Sequence, residues 1–395
     1  MISLVIPTYQ EADVIGTTLR RAAKTLRRTG EEFELIVVDD SGPGDGTADC
    51  ADSLAAELHV RVLRRPARQG LATAVMDGWQ AARGDVWGVM DADLQHPPEV
   101  LGRLVEALQQ PGVDVAIASR YVKGGLCPSW PRRRRAVSRL STHLAALVLP
   151  RTLARVHDPM SGMFLVRARA LEGVELQPLG YKILLEVLGR GRWRGLAEVP
   201  YRFEPRGLGR SKLGWRQSLE YPAHLARLAR ATGQLRTWIR YATVGLSGAF
   251  LDVGLFQLLV RGGGWPWAAA LPAAIELALL SNYAWNQALT FGPAASGASA
   301  PTARSLLMTL ARYERACLAG AGLNAAATLA LLAGGAAPAL AASVGVLAGG
   351  VWNLIFNVPR IWQVWGPAGS RMEVETAWDA VQRPPARSLP GKVGF

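Results

Sequence analysis

The chain has 395 residues, half of them hydrophobic and only 19% charged, and 44 Lys and Arg against 31 Asp and Glu give it a net charge of +13. This composition excludes disorder of the whole chain, and the length predicts two or three domains. Residues 1–235 contain 33 basic and 25 acidic side chains, whereas residues 236–395 contain only 11 and 6. We therefore expect a bilayer-embedded part in the second of these segments.

Further features narrow the class of protein. The 13 Trp residues concentrate in apolar segments instead of alternating with Lys and Arg, so no nucleic-acid partner is predicted. Cys50, Cys127 and Cys317 lie far apart and fit neither a disulfide framework nor a zinc site. The first residues, MISLVIPTYQE, are typical of a β-strand and not of a cleavable leader, so we expect this domain to stay on the side where it is made.

Short apolar runs alternate with helical segments in residues 1–235. Five strands are predicted at residues 2–7, 34–39, 59–63, 85–90 and 113–118, and helices between them at 13–28, 71–83 and 98–109. This alternation predicts a Rossmann-like α/β domain with a mainly parallel sheet. In such a sheet the ligand lies beyond the carboxyl ends of the strands.

Polar loops follow the first, second and fourth predicted strands, at residues 7–11, 39–47 and 91–96. In the last of these loops, Asp91, Asp93 and Gln95 supply the oxygen ligands that Mg²⁺ or Mn²⁺ prefers, and such a metal would bridge a diphosphate. The alternative, which has equal weight for a DxD pattern taken alone, is that the two carboxylates cap the next helix or form an Asx turn. The three loops together favour the metal site.

Residues 115–157 contain no Asp or Glu but nine Lys and Arg, which indicates a surface that faces an anion. The basic run 132–135 leads into a predicted helix over residues 136–149, with Arg139 and His143 off its apolar stripe. This pattern predicts an amphipathic helix at a membrane interface. A basic patch that only adsorbs to the membrane is the alternative for Arg132, Arg133 and Arg135.

Seven segments occur in the order IPTYQE, VVDDSGPGDGT, MDADLQHPPE, ASRYVKGG, DPMSGMF, GYKILLE and RGLGRSKL. Together they resemble family 2 glycosyltransferases, above all the polyprenyl-phosphate (dolichyl-phosphate) mannose synthases, over roughly residues 1–220. The resemblance implies a GT-A fold, a nucleotide-sugar donor, a divalent metal and a polyprenyl phosphate acceptor, and the close match of DPMSGMF and GYKILLE favours GDP-mannose as the donor. The DDSGPGDGT loop is one residue longer than the DDxSxDGT turn of the family.

The resemblance also implies roles for individual residues. Nucleotide-sugar binding falls on Pro7, Tyr9, Glu11, Val38, Asp40, Asp91, Ala92, Asp93, Lys182, Arg206 and Lys212. The metal ligands are Asp91, Asp93 and Gln95, and the acceptor phosphate falls on Arg120, Arg134 and Ser138. Asp91, Asp93, Arg206 and Lys212 are the catalytic set, in which the two cations would offset charge on the departing nucleotide.

The acceptor chemistry predicts a simple reaction. A phosphate monoester is largely dianionic at neutral pH, so an inverting displacement at the anomeric carbon needs no general base. The QxxRW pattern of processive synthases does not occur, which argues against chain elongation. His96, His143 and His157 have no metal-ligand spacing and are expected to be solvated or hydrogen-bonded.

Four membrane spans are predicted in residues 236–365, and residues 366–395 form a tail that we expect to be flexible. The first span is Tyr241–Val260 with Asp252 as its only charge, and the second is Trp265–Phe291 with Glu276. Residues 316–359 contain no charged side chain and are long enough for two more spans. The whole chain is therefore expected to be a GT-A domain (1–235) followed by an all-α four-helix transmembrane domain.

The spans contain an internal repeat. The pattern Arg240-Tyr241 with Asp252 recurs as Arg312-Tyr313 with Asn324, and Asn282 and Asn286 recur at nearly the same offset as Asn353 and Asn357. Two similar hairpins inserted the same way round are implied, and they resemble GtrA-like domains. The polar residues Asp252, Glu276, Asn282, Asn286, Asn353 and Asn357 are expected to face the bundle interior, where they would serve helix packing or, alternatively, a translocation path.

Basic residues flank the spans mainly near residues 227–240, 304–315 and 360 onward, which the positive-inside rule assigns to the cytoplasm. We therefore predict a cell-membrane protein with a cytoplasmic catalytic domain, and the resemblance implies that it transfers mannose from GDP-mannose to polyprenyl phosphate. A UDP-glucose-dependent glucosyltransferase and a non-enzymatic lipid-sugar flippase are the alternatives. The sequence leaves open the lipid length, Mg²⁺ against Mn²⁺, the oligomeric state and whether the product is flipped.

Overall fold

The computed structural model describes residues 1–153, 156–205, 215–290 and 303–353. Their contacts define two compact units, of which the first comprises residues 1–145 and 155–228. The second comprises residues 146–154 and the described residues from 229 onward. The change of unit thus lies close to the sequence-based boundary at residue 235.

The first unit contains a seven-stranded sheet in the order β3-β2-β1-β4-β6-β5-β7. Its strands are β1 (Ile2–Thr8), β2 (Phe33–Asp39), β3 (Val60–Arg64), β4 (Val86–Met90), β5 (Val115–Ser119), β6 (Met163–Arg167) and β7 (Leu196–Pro200). All pairs are parallel except those of β6, which runs antiparallel to β4 and β5. The five predicted strands are confirmed, and β6 and β7 are additions.

Helices alternate with these strands and pack on both faces of the sheet. Up to residue 231 they are α1 (Ala12–Thr29), α2 (Thr47–Asp52), α3 (Ala55–Leu58), α4 (Leu71–Gln80), α5 (Val100–Gln109), α6 (Arg132–Val148), α7 (Pro150–Leu153), α8 (Ile183–Arg190) and α9 (Trp215–Ala231). Leu4 and Ile6 of β1 belong to the buried cluster that α1 and α5 complete. Val5 points the other way, where a Cβ atom on Gly78 of α4 would lie only 2.5 Å from its Cγ1. The alternation is the one expected of a doubly wound sheet.

Helix α6 differs from its prediction at its beginning. It starts at Arg132, so the four arginines of the basic run lie inside the helix and do not precede it. Val137 and Leu140 are 64% and 70% exposed in this chain. An apolar surface of this kind next to arginines suits contact with a bilayer, which stays a prediction.

The second unit is helical. It contains α10 (Gln234–Gln257) and α11 (Trp267–Trp285), each followed by a π-helical turn, then α12 (Ala303–Ala333) and α13 (Pro338–Trp352). Two stretches, Gln234–Gly262 and Leu310–Ala333, are long and apolar enough to cross a membrane, and Pro338–Trp352 is apolar but shorter. The count of four spans is therefore not confirmed, and residues 354–365 and the predicted tail lie outside the described residues.

The internal repeat is visible as paired contacts. Asn324 donates from Nδ2 to Oδ2 of Asp252, its counterpart in the first hairpin, at 3.0 Å, and both side chains are buried. A Cβ atom on Gly248 would overlap Oδ1 of Asn282, and one on Gly320 would overlap Oδ1 of Asn353. Each hairpin thus uses a glycine to admit an asparagine of the next helix, which favours the packing role over the translocation path.

Not every polar side chain in this unit faces inward. Asn286 is buried as predicted, but Glu276 is exposed in the chain, so its predicted interior position is wrong. The physical reason is that Glu276 lies off the buried face of α11. That face is formed by Ala270, Leu271, Ala274, Ile275 and Ala278. Asn357 lies outside the described residues.

We expect Gly248→Ala to lower the free energy of unfolding of the membrane unit by about 1–3 kcal/mol, because the added methyl group must displace the amide of Asn282. Gly254→Ala on the same helix is the control, since its Cβ would have no described neighbour within 4 Å. Denaturant unfolding in detergent measures both. Equal stability of the two variants would contradict the packing role.

Candidate active site

Three loops meet at one edge of the sheet because β2, β1 and β4 are neighbours in it. The first two loops are tied together by hydrogen bonds from the backbone N–H of Gln10 to Oγ of Ser41 (2.7 Å) and from that of Glu11 to Oγ1 of Thr47 (3.0 Å). This convergence is the one predicted from the sequence.

The predicted nucleoside residues divide into two groups. Val38 is fully buried and Pro7 is buried on β1, so their side chains belong to the core. The carboxylate of Asp40 accepts hydrogen bonds from Nη1 of Arg65 (2.9 Å) and from the backbone N–H groups of Gln69 (2.8 Å) and Gly70 (2.7 Å). Asp40 therefore shapes the loop that follows β3.

Tyr9 and Glu11 lie in the loop after β1, toward the surface. The guanidinium carbon of Arg68 lies 4.2 Å from the centroid of the Tyr9 ring. This cation–π contact was not predicted, because its signal in the sequence is no more than a basic residue in the loop after β3.

Asp91, Asp93 and Gln95 follow β4 in a tight turn, with Leu94 at a φ of +59°. Oδ1 of Asp93 accepts from the backbone N–H of Gln95 at 3.1 Å, so the Asx-turn alternative is correct for that oxygen. The capping alternative is wrong, because α5 begins only at Val100 and is preceded by Glu99. Since a carboxylate has about four acceptor sites, the Asx turn is compatible with a metal ligand.

The donor set fits a hard divalent cation. The Asp91 side chain is 30% exposed and Asp93 is buried at the strand end. Within the described residues no group of three or more His, Cys, Asp and Glu is arranged to hold a metal, so two carboxylates and the Gln95 amide would need oxygens from a ligand. A diphosphate is a ligand of this kind.

Gly162, from the DPMSGMF segment, lies against Asp91, because a Cβ atom there would overlap Oδ2 of that carboxylate. On another side, Nδ1 of His96 is 3.4 Å from the same Oδ2. His96 is 3% exposed, and burial lowers its pKa to about 4. The predictions of a solvated or hydrogen-bonded His96 are both wrong within the described residues, since neither ring nitrogen has a hydrogen-bond partner there.

Lys182 precedes α8 and donates from Nζ to the carbonyl oxygen of Met160 at 3.1 Å. Its pKa is lowered to about 8, mainly by burial and then by the charge of Arg120, while Asp91 and Asp158 act in the opposite direction. The ammonium group therefore lies within electrostatic reach of both the metal loop and the predicted acceptor residues.

The predicted acceptor residues are brought together around two aromatic rings. The guanidinium carbons of Arg120 and Arg134 lie 5.2 and 4.3 Å from the Trp130 ring centroid. The hydroxyl of Tyr121 donates to Oγ of Ser138 at 2.6 Å. Trp130 and Tyr121 were missed from the sequence because aromatic residues near a basic run have no motif of their own.

Arg120 is committed to an ion pair. Its Nε and Nη2 donate to the two carboxylate oxygens of Asp158, each at 2.7 Å, and both side chains are buried. Burial alone would raise the pKa of Asp158, but the charge and hydrogen bonds of Arg120 outweigh it and lower that pKa. Asp158 was missed, although it is the first acid after the acid-free stretch. Arg206 and Lys212 lie outside the described residues.

Asp158 is itself positioned by Glu198, which accepts from the backbone N–H of Asp158 at 3.0 Å and contacts Nδ1 of His157 at 2.7 Å. His157 is thus hydrogen-bonded, as predicted. Its pKa is raised, first by this hydrogen bond and less by the charge of Glu198, against the effect of burial.

A raised folded-state pKa means that His157 contributes stability below its unfolded pKa of about 6.5 and loses that contribution as the pH rises through the folded value. We expect His157→Gln to lower the unfolding free energy more at about pH 6 than at about pH 8.5. His143→Gln, whose ring contacts a backbone carbonyl of its own helix, is the control. If the loss of unfolding free energy in His157→Gln were the same at both pH values, the link between the raised pKa of His157 and stability would be contradicted.

A mainly parallel α/β sheet with a DxD turn at a strand end is compatible with the class of nucleotide-sugar transferases. Residues 3–174 match glycosyl transferase family 2, and residues 240–362 match the GtrA/DPMS transmembrane domain. The chain belongs to glycosyl transferase family 2, and the following relatives are lipid-phosphate mannosyltransferases by name.

The dolichol-phosphate mannosyltransferase of Pyrococcus furiosus is 39% identical over 323 residues, which are 82% of this chain and 88% of that protein. The undecaprenyl-phosphate mannosyltransferase of Micrococcus luteus is 38% identical over 218 residues, 53% of this chain and 86% of that protein. Among solved structures, glucosyl-3-phosphoglycerate synthase of Mycobacterium tuberculosis matches 58% of this chain and 79% of its own, with 21% identity and a TM-score of 0.45.

Proposed function

We propose that the protein transfers mannose from GDP-mannose to a polyprenyl phosphate, giving polyprenyl-phosphate mannose with inversion at the anomeric carbon. One observation carries the proposal: His96, 3.4 Å from Asp91, packs on Phe203, and the guanidinium carbon of Arg120 lies 5.6 Å from the centroid of that ring. The proposed metal-diphosphate group and acceptor phosphate would thus be bound in neighbouring parts of one site. The mannosyltransferase relatives support the sugar, and no relative reported above favours UDP-glucose as donor to a lipid phosphate.

In this mechanism Asp91, Asp93 and Gln95 would hold Mg²⁺ or Mn²⁺, which offsets charge on the leaving nucleotide diphosphate. The loops after β1 and β2 would hold the nucleoside. Arg134 and Ser138 would orient the acceptor phosphate, whose dianion attacks without a general base. Arg206 and Lys212 are proposed to offset charge on the departing diphosphate.

We further propose that residues 1–235 form the catalytic domain on the cytoplasmic side of the cell membrane and that residues 236–365 form its membrane anchor. The arginines near residues 227–240 and 304–315 support this orientation through the positive-inside rule. Protease digestion of right-side-out against inverted vesicles tests it, because only inverted vesicles would expose the catalytic domain.

The activity is tested with the detergent-purified chain, a short polyprenyl phosphate and Mg²⁺ or Mn²⁺, offered GDP-mannose or UDP-glucose separately. Mass spectrometry of the lipid fraction is expected to show mannolipid from GDP-mannose only. Glucolipid alone would overturn the donor, and an absence of product from both would favour a lipid-sugar binding protein without turnover.

The acceptor site is tested by Arg134→Ala, which is expected to raise KM for polyprenyl phosphate by about 10–100-fold, because a charge-assisted hydrogen bond contributes about 1.5–3 kcal/mol. Arg133→Ala, one position earlier on α6, is the matched control and should raise KM less. Equal effects of the two variants would mean that Arg134 only attracts an anionic surface through its charge and does not bind the acceptor phosphate specifically.

A further inference from the structure

His96 lies in a buried aromatic cage beside the metal loop. Its ring stacks on Tyr201 with centroids 5.3 Å apart and meets Phe203 edge to face at 5.4 Å. Only 3% of the residue is exposed, and neither ring nitrogen has a hydrogen-bond partner within the described residues. A buried polar side chain without a partner is costly, so its retention calls for a role.

The two ring nitrogens are not equivalent. Nδ1 lies 3.4 Å from Oδ2 of Asp91, whereas no carboxylate oxygen of the described residues is paired with Nε2. Because a neutral imidazole carries one proton, the proton is best placed on Nδ1, where a carboxylate can accept it. Hydrogen bonds in ligand-free active sites are often long and shorten when the ligand binds.

Asp91 is confined by Gly162 as well. A Cβ atom at position 162 would overlap Oδ2, so Gly162 is what allows the carboxylate to take its present position. Oδ2 thus adjoins both the backbone at Gly162 and an imidazole that the cage holds in place. Two limits of this kind fix the direction in which its oxygens point.

We propose that His96 is a positioning residue: its Nδ1, now 3.4 Å from Oδ2 of Asp91, donates to that carboxylate once a ligand is bound and orients it toward the divalent metal. The inference rests on the proposed function only in taking Asp91 as a metal ligand. Partners of ligating carboxylates typically contribute about 10–100-fold to metal affinity. If His96 were purely structural, any ring or amide of suitable size would fill the cage equally well.

Two amide variants separate these roles. Asparagine places its amide near the position of Nδ1, and glutamine places it near the position of Nε2. We expect His96→Gln to weaken Mn²⁺ binding by about 10–100-fold in the presence of GDP, and His96→Asn to recover most of that loss. The readout is the Mn²⁺ dissociation constant from electron paramagnetic resonance of the full chain in detergent, with the exposed His59→Gln as control.

Equal affinities of the two amide variants, or an unchanged affinity of His96→Gln, would overturn the proposal. So would an absence of Mn²⁺ binding by the wild-type chain. Because the measurement needs no sugar transfer, a wrong donor or acceptor would leave Mn²⁺ binding intact and would show only in the product assay.

A second measurement needs no substitution that touches the cage. The ¹⁵N chemical shifts of histidine-labelled protein distinguish a protonated from an unprotonated ring nitrogen, and single His→Gln variants of the other four histidines, three of them at least partly exposed and His224 buried, assign the other signals. The expected result for His96 is a proton on Nδ1. A proton on Nε2 would overturn the proposal whatever the variants do.

Discussion

Replacing Asp91 with asparagine is expected to lower kcat/KM for mannose transfer by about 10²–10³-fold, the usual effect of removing one electrostatic element of a preorganised site. The change keeps the size of the side chain beside Gly162 but removes the charge that would attract the cation. Product formation by mass and Mn²⁺ affinity should fall together, since both depend on the same carboxylate.

Asp85→Asn is the matched control, because Asp85 is 76% exposed and pairs with the N-terminal amine at the opposite end of the same strand. It should leave kcat/KM within about twofold of wild type, as is usual for an exposed pair. If Asp91→Asn retained full activity with unchanged Mn²⁺ affinity, the prediction of a metal site after β4 would be wrong. The motif would then serve only to form the Asx turn of Asp93.

The strands could be predicted where they are apolar runs separated by helical segments. The strands β1 to β5 meet that condition, and their order brings the three polar loops together. The strand β6 does not meet that condition, because its apolar run begins directly after the turn at Gly162 and the strand is antiparallel to its neighbour β4. The strand β7 contains Glu198, a buried carboxylate whose partners in residues 157–158 no periodicity reveals.

The candidate site could be located from the sequence, but its contacts could not. Asp91 and Asp93 from their spacing and Arg134 from the family resemblance stay predictions, and neither source shows that Arg120 is paired with Asp158 or that Asp40 holds the loop after β3. These roles depend on contacts between residues far apart in the chain, which only folding brings together. The membrane repeat was visible in the spacing of its two copies, but only the structure shows that Asn324 donates a hydrogen bond to its counterpart Asp252.

Asp158→Asn is expected to lower the free energy of unfolding by about 3–5 kcal/mol, the usual cost of leaving one partner of a buried ion pair uncompensated. The guanidinium of Arg120 would remain between Trp130 and Phe203 without its carboxylate. Because the same guanidinium adjoins Trp130, over which Arg134 lies, KM for polyprenyl phosphate should rise as well. Denaturant unfolding in detergent and acceptor titrations measure the two effects separately.

Asp49→Asn is the matched control for stability, because Asp49 pairs with Arg64 on the surface, with 73% and 53% of the two side chains exposed. An exposed pair contributes at most about 1 kcal/mol. If Asp158→Asn raised KM but left the unfolding free energy unchanged, the ion pair would serve to position Arg120 beside the acceptor site and not to stabilise the fold. If stability fell and KM did not, the pair would only support the fold, and acceptor binding would depend on Arg134 and Ser138 alone.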